Sequence, residues 1–164
     1  MSGRFVQVVF ALFLCLSVSL SAAVYRDVTE ESLVKTRDAA VEKASKEFNF
    51  AIRGIARKRL QKSSRPYRTI RLEVSEDGTV VFEREGTDAI TAKIGGEAVS
   101  WLENQVSFTR REGDSALVQT FRAEDGVRTF VYRMEPEEKG FFLDVKLESP
   151  KLDAPLEYTL HYSL

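Results

Sequence analysis

Apolar and polar residues alternate along the C-terminal part of the chain, residues 105–164, in short segments separated by turn-forming residues. The last segment shows the pattern best, because one face carries Leu156, Tyr158, Leu160 and Tyr162 and the residues between them are polar. Side chains of a strand alternate between its two faces, so this period predicts half-buried β-strands. The strands predicted here are 105–111, 115–123, 127–135, 140–148 and 156–163. No helical period separates them, which indicates an antiparallel meander.

The same alternation begins earlier, directly after Pro66. Residues 67–75 and 79–85 form a predicted hairpin, and a segment at 89–94 and a short one around Trp101 follow. Together these segments predict a meander of about eight to nine strands over residues 66–164. A twisted sheet of that size must protect its edges, so we expect an up-and-down antiparallel β-barrel or a strongly curved sheet. Such a barrel is wide enough to hold one small ligand.

A helical period precedes the strands, over residues 28–62. An apolar stripe recurs every seven positions, at Val34, Val41, Phe48 and Ile55. Thr29 is a candidate N-cap, and Pro66 disfavours helical backbone at the residue before it. We therefore predict a mainly β protein with one long N-terminal α-helix, which lies before every strand and packs its stripe and Ile52 on the barrel.

The C-terminal half of this helix is rich in cations, namely Arg53, Arg57, Lys58, Arg59 and Lys62. Two interpretations are open. Clustered cations attract anionic lipid headgroups, which favours a weak contact with a membrane surface. Alternatively, they are solvated and complement the negative end of the helix dipole.

Residues 1–23 have the pattern of a secretory signal peptide. Arg4 precedes an apolar run over residues 5–16, and Ser21-Ala22-Ala23 supplies small residues at a cleavage site. Cleavage near Ala23 predicts a secreted or periplasmic protein whose single domain spans residues 24–164. The alternative is an uncleaved anchor, because residues 5–24 are about the ~20 needed to span a bilayer. The one cysteine, Cys15, lies inside the segment, so the cleaved chain has no thiol chemistry.

Charge and motifs exclude several classes of function. The sequence has 24 basic and 25 acidic residues, a formal net charge of -1, so no global field attracts nucleic acid. It contains no phosphate-binding glycine loop, no nucleophile elbow and no histidine and acid cluster with metal spacing. His161 is the sole histidine and falls on the polar face of its strand. We predict no enzyme activity, no metal site and no cofactor.

Four short motifs in the C-terminal half resemble those of one known family. They are Leu117-Val118-Gln119, then Asp125-Gly126 with Arg133 after six further residues, then the segment 142–147, then Thr159-Leu160-His161-Tyr162. The set resembles the fatty-acid-binding proteins of the lipocalin-like (calycin) superfamily, which are ten-stranded barrels that bind lipids. Members of that family carry a helix pair after the first strand, which differs from the single helix predicted here.

The resemblance implies a ligand-binding set inside the barrel. Arg133 occupies the place of the family's first carboxylate-binding arginine and Tyr162 that of its tyrosine, whereas Leu160 replaces the second arginine. Tyr158 lies beside Tyr162 on the same face, and Arg110 and Gln119 on nearby strands are further candidate donors. Phe108 and Leu160 would line the apolar part of the ligand. Because Leu160 replaces one of the family's two arginines, we expect a monoanionic or merely polar head group.

The orientation of the 127–135 strand is open. If Arg133 points inward, then Phe130, Tyr132 and Met134 point outward, whereas periodicity alone favours the reverse. In the alternative, Arg133 is a solvated charge and the barrel has a plain packed core.

These patterns predict non-enzymatic binding or carriage of a hydrophobic small molecule, lipid or fatty-acid-like, outside the cytoplasm. The alternative is a structural or protein-interaction module of the cell envelope with a filled core. An apolar cavity with a few polar groups directed into it would distinguish the first from the second.

Overall fold

The computed structural model describes residues 23–164, so the predicted signal peptide lies outside the described residues except for Ala23. Two helices, α1 (Glu31–Lys46) and α2 (Phe50–Ser63), and a short 3-10 turn at Pro136–Glu138 accompany ten strands. The strands are β1 (Val24–Asp27), β2 (Thr69–Val74), β3 (Thr79–Arg84), β4 (Ile90–Lys93), β5 (Val99–Trp101), β6 (Asn104–Arg110), β7 (Leu117–Ala123), β8 (Gly126–Met134), β9 (Gly140–Glu148) and β10 (Leu156–Ser163).

The strands form one antiparallel sheet in the order β4-β3-β2-β1-β10-β9-β8-β7-β6-β5. Every pair of neighbouring strands is consecutive in the chain except β1 and β10. Their pairing joins the part of the sheet formed by β1–β4 to the part formed by β5–β10. The sheet curves into a nearly closed barrel. Its two ends meet where Ile94, directly after β4, forms an isolated β-bridge with Phe108 on β6. There the Gly95 N–H donates to the Phe108 carbonyl at 2.8 Å. The predicted mainly β, antiparallel barrel is therefore confirmed.

The strand count and the position of the helix were predicted wrongly. There are ten strands rather than eight or nine, and β1 precedes the helices instead of following them. This strand has four residues, with Tyr25 buried between exposed Val24 and Arg26. Its alternation is too short to stand out beside the apolar segment before it, and its pairing with β2 and β10 supplies the hydrogen bonds that fix it.

The single long helix is also wrong, because the chain forms two helices that pack against each other. The break lies at Glu47, Phe48 and Asn49. The side-chain oxygen of Asn49 accepts a hydrogen bond from the Ile52 N–H at 3.2 Å, so it caps a new helix there. A regular apolar repeat across residues 28–62 concealed this cap. Among residues 23–164, neither helix is long and apolar enough to cross a membrane.

The interior of the barrel is dominated by buried aromatic rings in edge contact. Tyr25 and Tyr132 each contact Phe141, with ring centroids 4.8 and 5.2 Å apart, and Phe130 contacts Phe121 at 5.0 Å. Fully buried Gln119 accepts a hydrogen bond from the Tyr132 hydroxyl at 2.6 Å. Burial raises the pKa of Tyr132 well above its usual value, so its hydroxyl stays protonated and serves as the donor.

Candidate functional site

A cleft of about 690 Å³ separates α2 from the mouth of the barrel. Its walls come from α2, the start of β2, the end of β3, β5, the β7–β8 turn and the β9–β10 loop. Strand ends and turns from distant parts of the sequence meet here because up-and-down connectivity places alternate turns at the same end of a barrel.

One wall of the cleft is the apolar face of α2. Ile52, Ile55, Ala56 and Leu60 follow helical spacing, and all four line the cleft. Leu60 is buried, but Ile52 and Ile55 remain 45% and 57% exposed. The prediction that both isoleucines dock on the barrel is therefore wrong, because the helix stands away from the sheet at this end. The opposite wall is also largely apolar and includes Trp101, Phe121, Leu147 and Leu152.

Arg84 enters the cleft from the end of β3. It continues the inward face of that strand, after buried Val80 and Phe82. Its guanidinium carbon lies 4.7 Å from the ring centroid of Tyr67 and 5.1 Å from that of Trp101. The Nε atom is buried and has no hydrogen-bond partner among residues 23–164. The group is thus positioned by two aromatic rings and left without a counter-ion.

Arg128 enters from the start of β8 and shares the inward face of that strand with buried Phe130 and Tyr132. Its Nη1 lies 3.5 Å from the hydroxyl oxygen of Tyr67. Both Arg84 and Arg128 are partly buried, and within the described part of the chain neither forms an ion pair. Tyr67 therefore lies in contact with two uncompensated guanidinium groups.

Two further hydrogen bonds hold the aromatic framework of the cleft. The Trp101 indole N–H donates to the carbonyl of Asp88 at 2.9 Å, while the ring packs edge-on against Phe82 at 5.7 Å. The Tyr67 backbone N–H donates to the hydroxyl oxygen of Tyr162 at 3.1 Å. Tyr67 and Trp101 are therefore held in place before any ligand arrives.

The cleft is positively charged although the whole chain is nearly neutral. Its ionisable lining comprises four cations, Arg59, Arg84, Arg128 and Lys151, and one carboxylate, Asp125. Buried tyrosines lie close to its inner side, and burial raises the pKa of Tyr158 to about 12 and that of Tyr162 well above its ordinary value. Both hydroxyls stay neutral, so they add no negative charge that would offset the arginines.

Arg133 does not reach the interior, contrary to its predicted place in the binding set. Its guanidinium lies on the outer surface, where Nε and Nη2 donate to the two carboxylate oxygens of Asp144 at 2.6 and 2.8 Å. The side chain is 44% exposed and lies over the Phe142 ring. Because a strand alternates its faces, burying Phe130 and Tyr132 forces Arg133 outward. The periodicity was the correct guide.

Arg110 is exposed and donates to the Ser115 carbonyl at 3.0 Å. It lies at the end of β6 on the face that carries buried Val106 and Phe108, and it lines a second cavity together with Arg133. The other predicted residues are buried inside the barrel: Phe108, Gln119, Tyr158, Leu160 and Tyr162. Their inward placement agrees with the prediction, whereas a role in ligand binding remains a prediction. The structure thus brings the buried tyrosines together near the cleft, whereas neither arginine of the predicted set, Arg110 or Arg133, lines that cleft.

The arginines that do line the cleft, Arg84 and Arg128, were missed. The sequence contained a signal for each of them. Arg84 lies on the same face of its strand as Val80 and Phe82, and Arg128 lies on the same face as Phe130 and Tyr132. Both are strand-end positions, where an arginine is normally assumed to be solvated. Only closure of the barrel places them on the same tyrosine.

The cations of the predicted basic patch have different environments: some contact the protein and others are exposed to solvent. Arg53 donates to the Phe48 carbonyl at 3.3 Å, and Arg57 pairs with Glu42 at 2.9 Å. Arg59 lines the cleft, whereas Lys58 and Lys62 are exposed.

No protein-family model matches the chain, and no curated protein matches it. Among solved structures, the fatty-acid-binding protein isolated from Manduca sexta matches with a TM-score of 0.50 and 17% sequence identity. The match covers 87% of this chain and 98% of that one. The helix pair after β1, which the sequence had concealed, agrees with the family's arrangement. The chain therefore has the same fold as that fatty-acid-binding protein, with a nearly closed antiparallel barrel and a helix pair.

Proposed function

We propose that this protein binds a hydrophobic small molecule, lipid or fatty-acid-like, in the cleft between α2 and the barrel mouth. The observation that carries this proposal is the pair of exposed isoleucines, Ile52 and Ile55, which face an apolar wall across an open volume of about 690 Å³. Binding pockets for small molecules are typically about 300–1,000 Å³ and mostly apolar. An elongated apolar ligand would bury surfaces that the folded chain leaves in contact with water.

The fold supports the same proposal, since the solved structure that it resembles is named as a fatty-acid-binding protein. We propose binding rather than catalysis. The sole histidine, His161, lies outside the cleft, where its ring stacks on Phe142 and its Nε2 lies 3.2 Å from Glu135. Carriage outside the cytoplasm is part of the proposal and rests on the signal-peptide pattern of residues 1–23.

We also propose a weak contact of α2 with anionic membranes. Lys58 and Lys62 are exposed on α2, and Phe50 at the start of that helix is 89% exposed. A cationic face beside an exposed ring suits a lipid headgroup layer. Sedimentation with anionic and neutral vesicles checks this part separately.

Titration with Nile red, a neutral fluorescent apolar dye, tests the proposed site. We expect saturable binding to the wild-type protein. In Ala56→Trp the new ring would occupy the cleft, because Ala56 lines it, so dye affinity should fall about tenfold, as when roughly 1.4 kcal/mol is lost. Lys58→Trp adds the same ring to the same helix outside the cleft and should bind the dye as wild type does.

The second candidate is a structural or interaction module of the cell envelope, and the densely aromatic interior favours it. Such a module needs no ligand. Absence of saturable dye binding to wild type, or equal binding to Ala56→Trp and wild type, would overturn the cleft proposal and leave the module as the better account.

A further inference from the structure

The two inward arginines are not accounted for by the protein's own contacts. Burying a charged or polar group without a hydrogen-bond partner is unfavourable, and buried charges in proteins are normally paired. Three more exposed arginines of this barrel have carboxylate partners: Arg71 pairs with Glu73, Arg111 with Asp114 and Arg133 with Asp144. Arg84 and Arg128 are partly buried and form no ion pair within residues 23–164, at a cleft where an apolar helix face is also exposed.

Their arrangement is convergent. β3 and β8 are not neighbours in the sheet, yet the guanidinium groups that they carry both contact Tyr67. Contact with Tyr67 and Trp101 restrains Arg84, and the hydrogen bond from the Trp101 indole to Asp88 fixes that ring in turn. A bound anion would therefore meet donors that are already oriented, so little side-chain entropy is lost on binding.

We propose that Arg84 and Arg128, with the hydroxyl of Tyr67 between them, bind the oxyanion head of an amphiphilic ligand. This inference rests on the proposed function. The head would be a carboxylate or a phosphate ester, because a guanidinium offers parallel donors to two oxygens of such groups. The apolar chain would extend from this point between Ile52 and Ile55 on α2 and the facing rings of Trp101 and Phe121.

The charge of the cleft agrees with such a head. Arg59 and Lys151 add cations at its edge, and Asp125 is the one carboxylate in the lining. This proposal specifies how the ligand is oriented, with its charged group at the barrel mouth beside Tyr67. The charged group would not lie beside Arg133, because that arginine is already paired with the carboxylate of Asp144.

Isothermal titration calorimetry with three ligands of equal chain length tests the head site: dodecanoate, dodecyl phosphate and dodecanol, each below its critical micelle concentration. We expect wild type to bind one or both anions at least about tenfold more tightly than dodecanol, since the guanidinium groups donate charge-assisted hydrogen bonds to an oxyanion but not to an alcohol. The stronger of the two anions identifies the source of the head group.

Arg84→Met and Arg128→Met should each remove most of this preference, so that dodecanoate and dodecyl phosphate bind little more tightly than dodecanol. Arg133→Met removes the same charge on the outer surface and should keep the preference. Arg84→Lys retains charge but loses the planar donor fork, so it should bind the anions more weakly than wild type. It also serves as the test if Arg84→Met does not fold, which circular dichroism decides.

The outcomes separate the two proposals. Equal affinity of wild type for dodecanoate, dodecyl phosphate and dodecanol, or a preference that survives in both arginine variants, overturns the head site and leaves the apolar cleft intact. Failure of all three ligands and of Nile red to bind overturns the cleft and, with it, the head site.

Discussion

Arg133 and Arg84 belong to the same barrel but lie on opposite sides of its sheet. Outside, Arg133 donates two short hydrogen bonds to Asp144 and rests on the Phe142 ring. At the mouth, Arg84 also lies over aromatic rings, those of Tyr67 and Trp101, but it has no carboxylate partner within residues 23–164 and its Nε is buried without a hydrogen bond.

The difference shows how to tell a structural charge from a functional one. Arg133 is explained by the chain itself, because its charge is balanced and its surroundings are solvated. Arg84 is positioned by two aromatic rings but has no carboxylate partner within residues 23–164, and this is the basis for our proposal that a ligand supplies the negative charge. A family motif pointed to the first arginine, and the physical environment points to the second.

The largest expected effect comes from removing the aromatic support of each arginine. Phe82 is fully buried under Trp101, whereas Phe142 is partly buried beside Arg133 and His161. Phe82→Ala should lower the free energy of unfolding by about 3–5 kcal/mol because it leaves a core cavity. Phe142→Ala should lose about 1 kcal/mol, the size of one aromatic contact. Urea denaturation measures both, and similar losses would show that the two supports are equivalent.

A second test applies the same contrast to the barrel core, where one polar atom of Gln119 has a hydrogen-bond partner and the other has none among the described residues. The Gln119 Oε1 accepts from the Tyr132 hydroxyl, while its Nε2 is buried without a partner in the described chain. Tyr132→Phe should lose about 1–3 kcal/mol, because a buried acceptor then has no donor. Adding Gln119→Leu should recover part of that loss, since both polar groups are gone. A double mutant less stable than either single variant contradicts this account.

The two arginines should also differ in the sign of their contribution to stability. Arg133→Met removes an exposed ion pair and should lower the free energy of unfolding by about 0.2–1 kcal/mol. Arg84→Met should leave the melting temperature unchanged or raise it, because an unpaired buried donor disappears while an apolar chain still packs on Trp101. If Arg84→Met melts below Arg133→Met, then Arg84 is a structural residue.

The smallest expected effect is a pH dependence of the stability that the ion pair between Arg133 and Asp144 contributes. Arg133 holds the pKa of the Asp144 carboxyl below its ordinary value, and the Thr159 hydroxyl adds a hydrogen bond. The stability from this pair is therefore complete above the ordinary aspartate pKa of about 4 and is lost as pH falls through the lower folded-state pKa. The loss should stay below about 1 kcal/mol. Unfolding curves from about pH 6 to about pH 2 should show a smaller loss of unfolding free energy on acidification for Asp144→Asn than for wild type.

Long alternating strands were predictable from the sequence, and short or interrupted elements were not. The predicted segments 140–148 and 156–163 coincide with β9 and β10, because eight or nine alternating residues outweigh local ambiguity. The four residues of β1 gain their structure from pairing with β2 and β10, which no local pattern reveals. A single Asn49 cap divides what the apolar repeat joined into one helix.

The candidate site divides in the same way. Inward placement of Phe108, Gln119, Leu160 and Tyr162 followed from strand alternation, and burial agrees with it. The family resemblance placed Arg133 in the binding set, whereas the period of its strand favoured the outer face, and the sequence left the two orientations open. Arg84 and Arg128 obey that period, but their meeting at Tyr67 depends on β3 and β8 facing one another across a closed barrel, a long-range property.

The pairing of β1 with β10 also governs how the barrel is assembled in time. Asp27 lies opposite Tyr162, so this pairing is complete only after β10 has been synthesised. Contacts between residues so distant in sequence form slowly. Until then β1 and β9 each present an open edge, and open edges associate with other chains. A chain truncated before β10 should therefore aggregate, and nascent molecules are exposed to the same association until β10 is available.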